Sequence, residues 1–423
     1  MSPRLLALMG SGETSPTMVK THRDLLARVG TAPAVLLDTP FGFQANAADL
    51  TARAQAYFSE SVGRSLDLAS YRSSDEVGSV GYEATLGRLR AAGYVFAGPG
   101  SPTYALAQWA SSTVPDVLRS KLTTGGCVTF ASAAALTLGV ATVPVYEIYK
   151  VGAPAAWVEG LDLLREAGLS AAVIPHYNNA EGGNHDTRYC YLGEPRLAVM
   201  ERTLPDGAFV LGIDEHTGVV LDLDAGSATV VGLGVVTVRA AGRSVEFPAG
   251  SVVAIADLAD AASGRRSPSA AADPRAAQAS PAAVVATGPV TSASSPLLAE
   301  VAQARAAFTA ALDARDASAA AQVVLDLEAS LHGWAADTLQ SDELDQGRAA
   351  LRSMVVELAA VAEVGAADPR ERLGPFVEAL LALRRAARDD KRYADADAVR
   401  AALVSLGVEV RDKSDGTEWD LAP

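Results

Sequence analysis

The chain has 423 residues, which is too long for one typical domain, so we expect two or three. Its formal net charge of −15 argues against a protein that coats nucleic acid non-specifically, because binding to phosphates needs a basic face. Two cysteines supply no disulfide framework, and neither a signal peptide nor a membrane-spanning apolar run is found, which indicates a cytoplasmic protein without a membrane partner.

Residues 1–260 alternate short apolar runs with helical stretches. Six continuous apolar runs predict strands at 5–9, 34–39, 94–98, 127–131, 171–176 and 209–214. Such runs, separated by amphipathic helices, are typical of an α/β domain with a doubly wound, mostly parallel sheet. Three later runs, at 218–223, 228–234 and 236–241, follow closely with turn residues between them and predict hairpins at one sheet edge.

The composition changes after residue 260. Residues 261–297 are rich in Ala, Pro, Ser and Gly without apolar periodicity, which predicts a flexible linker. Residues 298–423 predict a separate, mainly helical domain, because apolar residues recur at helical spacing in 376–387 and 396–406. The last residues predict a strand, an Asp-Gly turn and a second strand.

Loops that carry chemistry follow five of the predicted strands. In a doubly wound sheet the carboxyl ends of the strands lie at one edge, so these loops should converge in space. They are "GSGET" (10–14), "GPGSP" (98–102), the turn at Ser132, "HYNNAEGGNHDT" (176–187) and "DEHTG" (214–218).

Ser132 stands where a buried strand turns into a helix, in "GGCVTFASAAALTLG" (125–139). Hydrolases with a nucleophile elbow place their serine at such a turn, usually in Gly-x-Ser-x-Gly. Phe130 and Ala134 replace the two glycines here, and an alanine adopts a strained elbow only at some cost. Ser132 is therefore either a nucleophile or a small packing residue.

A serine nucleophile needs a base, and the base needs an orienting carboxylate. His176 ends a predicted strand and is the natural base, which Glu215 or its neighbour Asp214 would orient. A structural histidine at 176 and a capping role for Glu215 are the alternatives.

Backbone N–H groups of the 98–102 loop and of Ala133 would form an oxyanion hole. Ser101 is the expected cap of a helix whose N-terminus favours negative charge, and Glu13 lies in the loop after the first strand. Both are predicted to bind substrate.

The order of these loops resembles peptidase family S51, which includes cyanophycinase and aspartyl dipeptidase and has a fold related to the class I glutamine amidotransferase domain. The matching segments are "FAGPGS" (96–101), "FASAAA" (130–135), His176, "PRL" (195–197) and "GIDE" (212–215). The resemblance covers residues 1–260 and implies a triad of Ser132, His176 and Glu215. Pro99 departs from the family pattern and has no N–H, so Gly98 or Gly100 would complete the oxyanion hole.

An insert between His176 and "PRL" carries charged residues that the family pattern does not supply. We interpret it as a substrate-binding loop, in which Arg188 offers a fork to a carboxylate. Together with His176, the residues Glu181, His185 and Asp186 also have metal-ligand chemistry. Their spacing matches no recognised site, so neither a metal nor a cofactor is predicted.

The tail "LRRAARDDKRYADADAVRAALVSLGVEVRDKSDGTEW" (383–419) resembles the C-terminal end of cysteinyl-tRNA synthetase, and residues 298–365 resemble its preceding helices more faintly. In that family the region contacts tRNA, which implies RNA-binding roles for Arg384, Arg388, Lys391, Arg400 and Trp419. Neither catalytic signature of a synthetase is present, so the chain is not expected to charge tRNA. The net acidic charge of this region favours a contact with a translation-related protein over tRNA binding.

Two hypotheses follow for the whole chain. The first is a serine peptidase or amidase that acts on a small peptide or amide and is fused to a synthetase-like module. The second is a non-catalytic ligand- or tRNA-binding protein with a degenerate hydrolase site. The sequence leaves the oligomeric state open.

Overall fold

The computed structural model describes residues 2–180, 185–265, 295–314, 316–335, 343–366, 369–413 and 416–422. The chain forms two compact units, one of residues 1–299 with 328–347 and the other of residues 300–327 with 348–423. Most of the predicted linker, residues 266–294, lies outside the described residues. None of the described helices combines the length and the apolarity that a membrane crossing requires.

The first unit is an α/β structure. Its strands are β1 (Arg4–Met9), β2 (Ala34–Leu37), β3 (Asp67–Ala69), β4 (Tyr94–Ala97), β5 (Gly126–Ala131), β6 (Ala141–Thr142), β7 (Val158–Glu159), β8 (Ala171–Ile174), β9 (Phe209–Ile213), β10 (Thr217–Asp222), β11 (Ser227–Gly232), β12 (Val235–Ala240), β13 (Arg243–Pro248) and β14 (Val252–Ala254). Its helices are α1 (Val19–Val29), α2 (Ala47–Tyr57), α3 (Val80–Ala91), α4 (Pro102–Trp109), α5 (Val114–Thr124), α6 (Ser132–Leu136), α7 (Gly193–Glu201) and α8 (Ile255–Ala262).

The large sheet has eight strands in the order β14-β11-β10-β1-β5-β4-β2-β3. Strands β1, β5, β4, β2 and β3 are parallel to one another. Alternate residues of β1 enter opposite cores: Leu6 and Leu8 pack with α3 and α5, whereas Leu5 and Ala7 pack with α1. Helices therefore cover both faces, which explains the continuous apolar runs and confirms the predicted α/β class with a mostly parallel sheet.

The predicted strands at 171–176 and 209–214 are present, but they belong to a second sheet. Strands β8 and β9 pair in parallel within a four-stranded sheet of order β13-β12-β9-β8. The antiparallel strand β10 occupies the free edge of β1, with Met9 opposite Gly218, so no parallel strand can add there. The expectation of one continuous sheet is corrected in this respect. Of the three runs predicted to form hairpins at one sheet edge, the first two form the hairpin of β10 and β11 in the large sheet. The third is β12, which lies in the second sheet between β9 and β13.

The loops after β1 and β9, which belong to different sheets, lie against each other. Within the four-stranded sheet the N–H of Tyr177 donates to the carbonyl of Ile213 at 3.1 Å, and within the large sheet the N–H of Gly10 donates to the carbonyl of Thr217 at 2.8 Å. A Cβ on Gly10 would lie 2.1 Å from the carbonyl oxygen of Asp214, so only glycine allows this approach. The loops after β1, β8 and β9 thus meet, as the sequence predicted.

The C-terminal region is mainly helical, also as predicted. Its elements are α9 (Pro296–Asp313), α10 (Ala317–Trp334), α11 (Glu343–Ala366), α12 (Pro369–Asp389), α13 (Tyr393–Ser405), β15 (Val408–Lys413) and β16 (Gly416–Leu421). The strands β15 and β16 form an antiparallel hairpin. Val377 and Leu381 of α12 pack with Leu403 of α13 and with Val408 and Val410 of β15, so the hairpin closes a small core of its own.

Candidate functional site

Ser132 lies at the turn from β5 to α6 in a left-handed backbone conformation, with φ of 48°. Such a conformation is costly for a serine and is characteristic of functional sites. The positive φ falls on Ser132 and not on Phe130 or Ala134, so the elbow forms without the two flanking glycines. The N–H of Ala134 donates to the carbonyl of Gly98 at 3.2 Å, which ties the elbow to the loop after β4.

Ser132 and His176 are in hydrogen-bonding contact. The Oγ of Ser132 lies 2.9 Å from Nε2 of His176, and Nδ1 of His176 lies 3.0 Å from Oε1 of Glu215. An imidazole with its proton on Nδ1 donates to Glu215 and accepts at Nε2 from the serine hydroxyl. This is the arrangement of nucleophile, base and orienting carboxylate that serine hydrolases use.

Of the two candidate carboxylates, Glu215 is the one that contacts His176. Burial opposes ionisation of Glu215, but the hydrogen bond and charge of His176 outweigh it, so the pKa of Glu215 lies below its ordinary value. Asp214 instead accepts a hydrogen bond from the N–H of Val235 at 3.0 Å. Burial raises the pKa of Asp214 to about 6.

Two residues that sequence reasoning missed hold Glu215 in place. Nδ2 of Asn179 donates to Oε1 of Glu215 at 3.2 Å, and Oδ1 of Asn178 accepts from the N–H of Glu215 at 2.8 Å. The two asparagines lie two and three positions after His176 in the chain. Their place in the loop after a candidate base was the signal that could have identified them.

The predicted oxyanion donors fall into two groups. Gly100 and Ala133 line a cavity together with Ser132, and Ala133 lies in the first turn of α6, where N–H groups have no partner within the helix. A Cβ on Gly100 would lie 2.0 Å from the carbonyl oxygen of Pro40, so this position requires glycine. Gly98 is not among the described residues that line the cavity, and its carbonyl accepts the bond from Ala134.

The cavity has a volume of about 370 Å³. Its described lining residues are Ser11, Glu13, Phe41, Gln44, Leu50, Pro99, Gly100, Pro102, Ser132, Ala133, Leu136, Val145, Tyr146, Tyr149, Lys150, His176, His185, Thr187, Cys190 and Tyr191. A space of this size accommodates a small substrate.

Only some of the predicted substrate-binding residues line the cavity. Glu13 and His185 line the cavity. Oγ of Ser101 accepts from the N–H of Tyr104 at 3.2 Å and caps α4, and Ser101 is outside the described lining. Glu181 lies outside the described residues.

Arg188 is bound within the insert. Its Nε and Nη2 each donate to the carboxylate of Asp186 at 2.8 Å, and Asp186 also accepts from the N–H of Glu194 at 2.9 Å. The hydrogen bonds from Arg188 lower the pKa of Asp186 to about 2. Neither Asp186 nor Arg188 belongs to the described lining of the cavity, and the pair instead stabilises the turn before α7.

The cavity also contains a cation and three tyrosines that sequence reasoning did not select. Tyr146, Tyr149 and Lys150 come from a helical turn at Glu147–Val151 and the residue before it, and Tyr191 comes from the insert. The hydroxyl of Thr103 donates to Oε1 of Glu147 at 2.7 Å and anchors this turn to α4. The spacing of Tyr146 and Tyr149, three residues apart beside a lysine, was the available signal.

Metal-ligating side chains do not cluster in the described part of the chain. No group of three or more His, Cys, Asp or Glu residues there could hold a metal ion. Cys127 and Cys190 are both free and buried, and burial raises the pKa of each thiol to about 12.

The tail residues with predicted RNA contacts occupy different environments. Arg384 is only 3% exposed and donates to both carboxylate oxygens of Asp412, at 2.7 and 2.6 Å, so its side chain supports the small core. Nε1 of Trp419 donates to Glu378 at 2.8 Å. Arg388, Lys391 and Arg400 are exposed.

Comparison with known proteins separates the two parts of the chain. Residues 370–419 match the family model of the cysteinyl-tRNA ligase anticodon-binding domain, which confirms the resemblance for that segment. The cysteine–tRNA ligase of Lawsonia intracellularis is 53% identical over 45 residues, covering 11% of this chain and 9% of the ligase. That of Symbiobacterium thermophilum is 32% identical over 124 residues, covering 29% of this chain and 26% of the ligase.

The chain thus spans about a quarter or less of the length of these ligases. Among solved structures, a peptidase from an acI-B1 Actinobacterium is similar to this chain with a TM-score of 0.49 and 19% identity. The similarity covers 60% of this chain and 97% of the peptidase.

Proposed function

We propose that the first unit is a cytoplasmic serine hydrolase, a peptidase or amidase of S51 type that acts on a small peptide or amide. The observation that carries the proposal is the chain of contacts from Ser132 through His176 to Glu215, at 2.9 and 3.0 Å. A packing serine would need neither a left-handed backbone nor a histidine that is itself bound by a partly buried carboxylate.

The geometry supports a two-step mechanism. His176 accepts the hydroxyl proton of Ser132 while Oγ attacks the substrate carbonyl carbon, and Glu215 stabilises the imidazolium. The N–H groups of Gly100 and Ala133 face the developing negative charge on the carbonyl oxygen. The C–N bond then breaks, the leaving amine takes the proton from His176, and a water molecule deprotonated by His176 hydrolyses the acyl-enzyme.

Labelling with a fluorophosphonate probe tests this proposal directly, because the probe reacts with an activated serine. We expect the full chain to be labelled, and the Ser132→Ala and His176→Ala variants to lose labelling. Ser111→Ala, which removes an exposed hydroxyl, is the matched control and should label normally. Unlabelled, folded wild-type protein would favour the non-catalytic alternative, in which the same cavity binds a ligand without turnover.

For the C-terminal region we propose tRNA binding, which the match of residues 370–419 supports over the protein contact that net charge favoured. Exposed Lys391 and Arg400 are candidates for phosphate contacts. Binding of total tRNA to the full chain should weaken steeply with salt, and a Lys391→Gln, Arg400→Gln double variant should reduce that slope. Lys20→Gln, a change at an exposed lysine of α1, is the control. If tRNA does not bind, or binds independently of salt, the contact with a translation-related protein becomes the favoured interpretation.

A further inference from the structure

We propose that the cavity selects a substrate residue that combines an aromatic or large apolar side chain with a free carboxylate. The aromatic wall, defined here as Tyr146, Tyr149 and Tyr191, contacts the side chain, and Lys150 binds the carboxylate. The inference rests on the proposed function for the cleavage step, whereas the recognition itself is testable by binding alone.

The three tyrosines of the aromatic wall line the same cavity as Ser132. The rings of Tyr149 and Tyr191 lie 4.7 Å apart between centroids at an interplanar angle of 31°. Apolar atoms of Leu136, Val145 and Cys190 continue this surface. A ligand ring packed on such a surface gains both apolar burial and favourable ring geometry.

The backbone that carries Tyr191 is bound to the segment of the proposed base. Tyr189, Cys190 and Tyr191 have φ values of 61°, 55° and 66°, a run of left-handed residues that only tertiary contacts can maintain. Those contacts are present: the N–H of Tyr189 donates to the carbonyl of Tyr177 at 2.9 Å, and that of Cys190 donates to the carbonyl of His176 at 3.2 Å. Tyr191 is therefore positioned by the same segment that positions His176.

Lys150 is the only Lys or Arg among the described residues that line the cavity. Its Nζ lies over the Tyr149 ring, 4.9 Å from the ring centroid, so the positive charge is adjacent to the aromatic wall. An amino acid with an aromatic side chain carries its carboxylate a few bonds from the ring. When such a ring packs on the wall, its carboxylate lies within reach of Lys150.

A second charged residue of the lining, Glu13, bears on the orientation of the ligand. The Glu13 carboxyl is buried near the oxyanion loop, with Oε1 3.5 Å from where a Cβ of Gly98 would stand. An ionised Glu13 repels a ligand carboxylate, whereas Lys150 attracts one. Arg188, the alternative carboxylate reader, is already bound to Asp186. The fitting class is a short peptide whose C-terminal residue is aromatic or large and apolar and leaves as the free amino acid.

Calorimetry on the full-length Ser132→Ala variant tests this recognition without turnover. We expect Ala-Phe to bind about tenfold more tightly than Ala-Phe amide and than Ala-Asp. Adding Lys150→Gln should remove the preference for the free carboxylate, and adding Tyr149→Ala should remove the preference for phenylalanine. Lys20→Gln in the same background is the matched control and should retain both preferences.

Equal affinity for Ala-Phe and its amide, tighter binding of Ala-Asp, or no binding of any of the three would overturn the inference. Its failure is distinct from failure of the proposed function, which is read by probe labelling of the wild-type chain. If the wild-type chain is not labelled by the probe but the Ser132→Ala variant binds Ala-Phe selectively, the proposed recognition site is supported and the proposed hydrolase activity is rejected.

Discussion

Oγ of Ser132 lies 2.9 Å from Nε2 of His176, although the two residues are 44 positions apart and follow strands of different sheets. Ser132 follows β5 of the eight-stranded sheet, and His176 follows β8 of the four-stranded sheet. The distance between them therefore depends on how the two sheets pack, and the contact of Tyr177 with Ile213 fixes the end of β8. The activity of the proposed site should therefore be sensitive to changes that move either strand end.

Glu215→Gln should reduce the rate of probe labelling by about 10²- to 10⁴-fold, because an amide cannot stabilise the imidazolium of His176. Asp214→Asn is the matched control one residue away, since Asp214 accepts from the N–H of Val235 and does not contact His176 in the structure. It should change the labelling rate by less than about fivefold. Equal losses in the two variants would show that the segment is structural and that Glu215 has no separate electrostatic role.

The sequence could place the residues of the proposed triad near one another, because Ser132, His176 and Glu215 each lie one or two residues after a buried strand. The loops after such strands converge in an α/β fold. The glycine-poor elbow did not prevent this, because only Ser132 needs the left-handed conformation. The strand pattern therefore predicted which loops converge, whereas the choice of Glu215 over Asp214 rested on the resemblance to family S51.

Pattern was insufficient where placement depends on tertiary contacts. The apolar runs at β8 and β9 resemble those of the large sheet, and only the antiparallel pairing of β10 with β1 shows that they form another. Lys150 lies on a short helical turn without a motif, and its place in the cavity follows from the packing of that turn on α4. Arg188 has the right chemistry to bind a substrate carboxylate, but its guanidinium is already paired with the carboxylate of Asp186.

Gly100→Ala should abolish labelling and also destabilise the first unit. The new Cβ would lie 2.0 Å from the carbonyl oxygen of Pro40, at a φ of 138° that alanine rarely adopts. Moving the loop would misplace an oxyanion donor, which we expect to lower the labelling rate at least about 10²-fold. Gly87→Ala in α3 is the control, because nothing lies within 4 Å of its Cβ, and it should raise stability by about 0.5–1 kcal/mol. Normal labelling of the Gly100 variant would exclude this loop from the oxyanion hole.

Arg384→Met should destabilise the small core of the tail by about 1–3 kcal/mol, because Asp412 loses its bidentate partner and keeps only the contacts from Arg388 and Thr417. Hydrogen exchange of peptides from residues 370–421 in the full chain measures this loss as faster exchange. The adjacent Arg385 is exposed, and Arg385→Met should change stability by less than about 0.5 kcal/mol. If the Arg384 variant lost tRNA binding with its exchange protection intact, Arg384 would contact RNA directly.

His22 should make the first unit less stable in acid. Its Nε2 lies 2.7 Å from the carbonyl oxygen of Glu13 and its Nδ1 lies 2.8 Å from the hydroxyl of Tyr94, so it supports the loop that carries Glu13. Burial lowers the pKa of His22 from 6.5 to about 4. Between these values the unfolded chain binds a proton that the folded chain does not, so stability is complete above pH 6.5 and decreases as pH falls toward 4.

The decrease attributable to His22 should reach about 3 kcal/mol near pH 4. His22→Gln keeps a donor for the Glu13 carbonyl and does not titrate, so the difference in unfolding free energy between wild type and variant should change by this amount from pH 7 to pH 4. Denaturant unfolding at a series of pH values measures it, and other titrating groups cancel in the difference. A difference that stays constant with pH would mean that His22 has an ordinary pKa in the folded protein and that the loop carrying Glu13 is open to solvent.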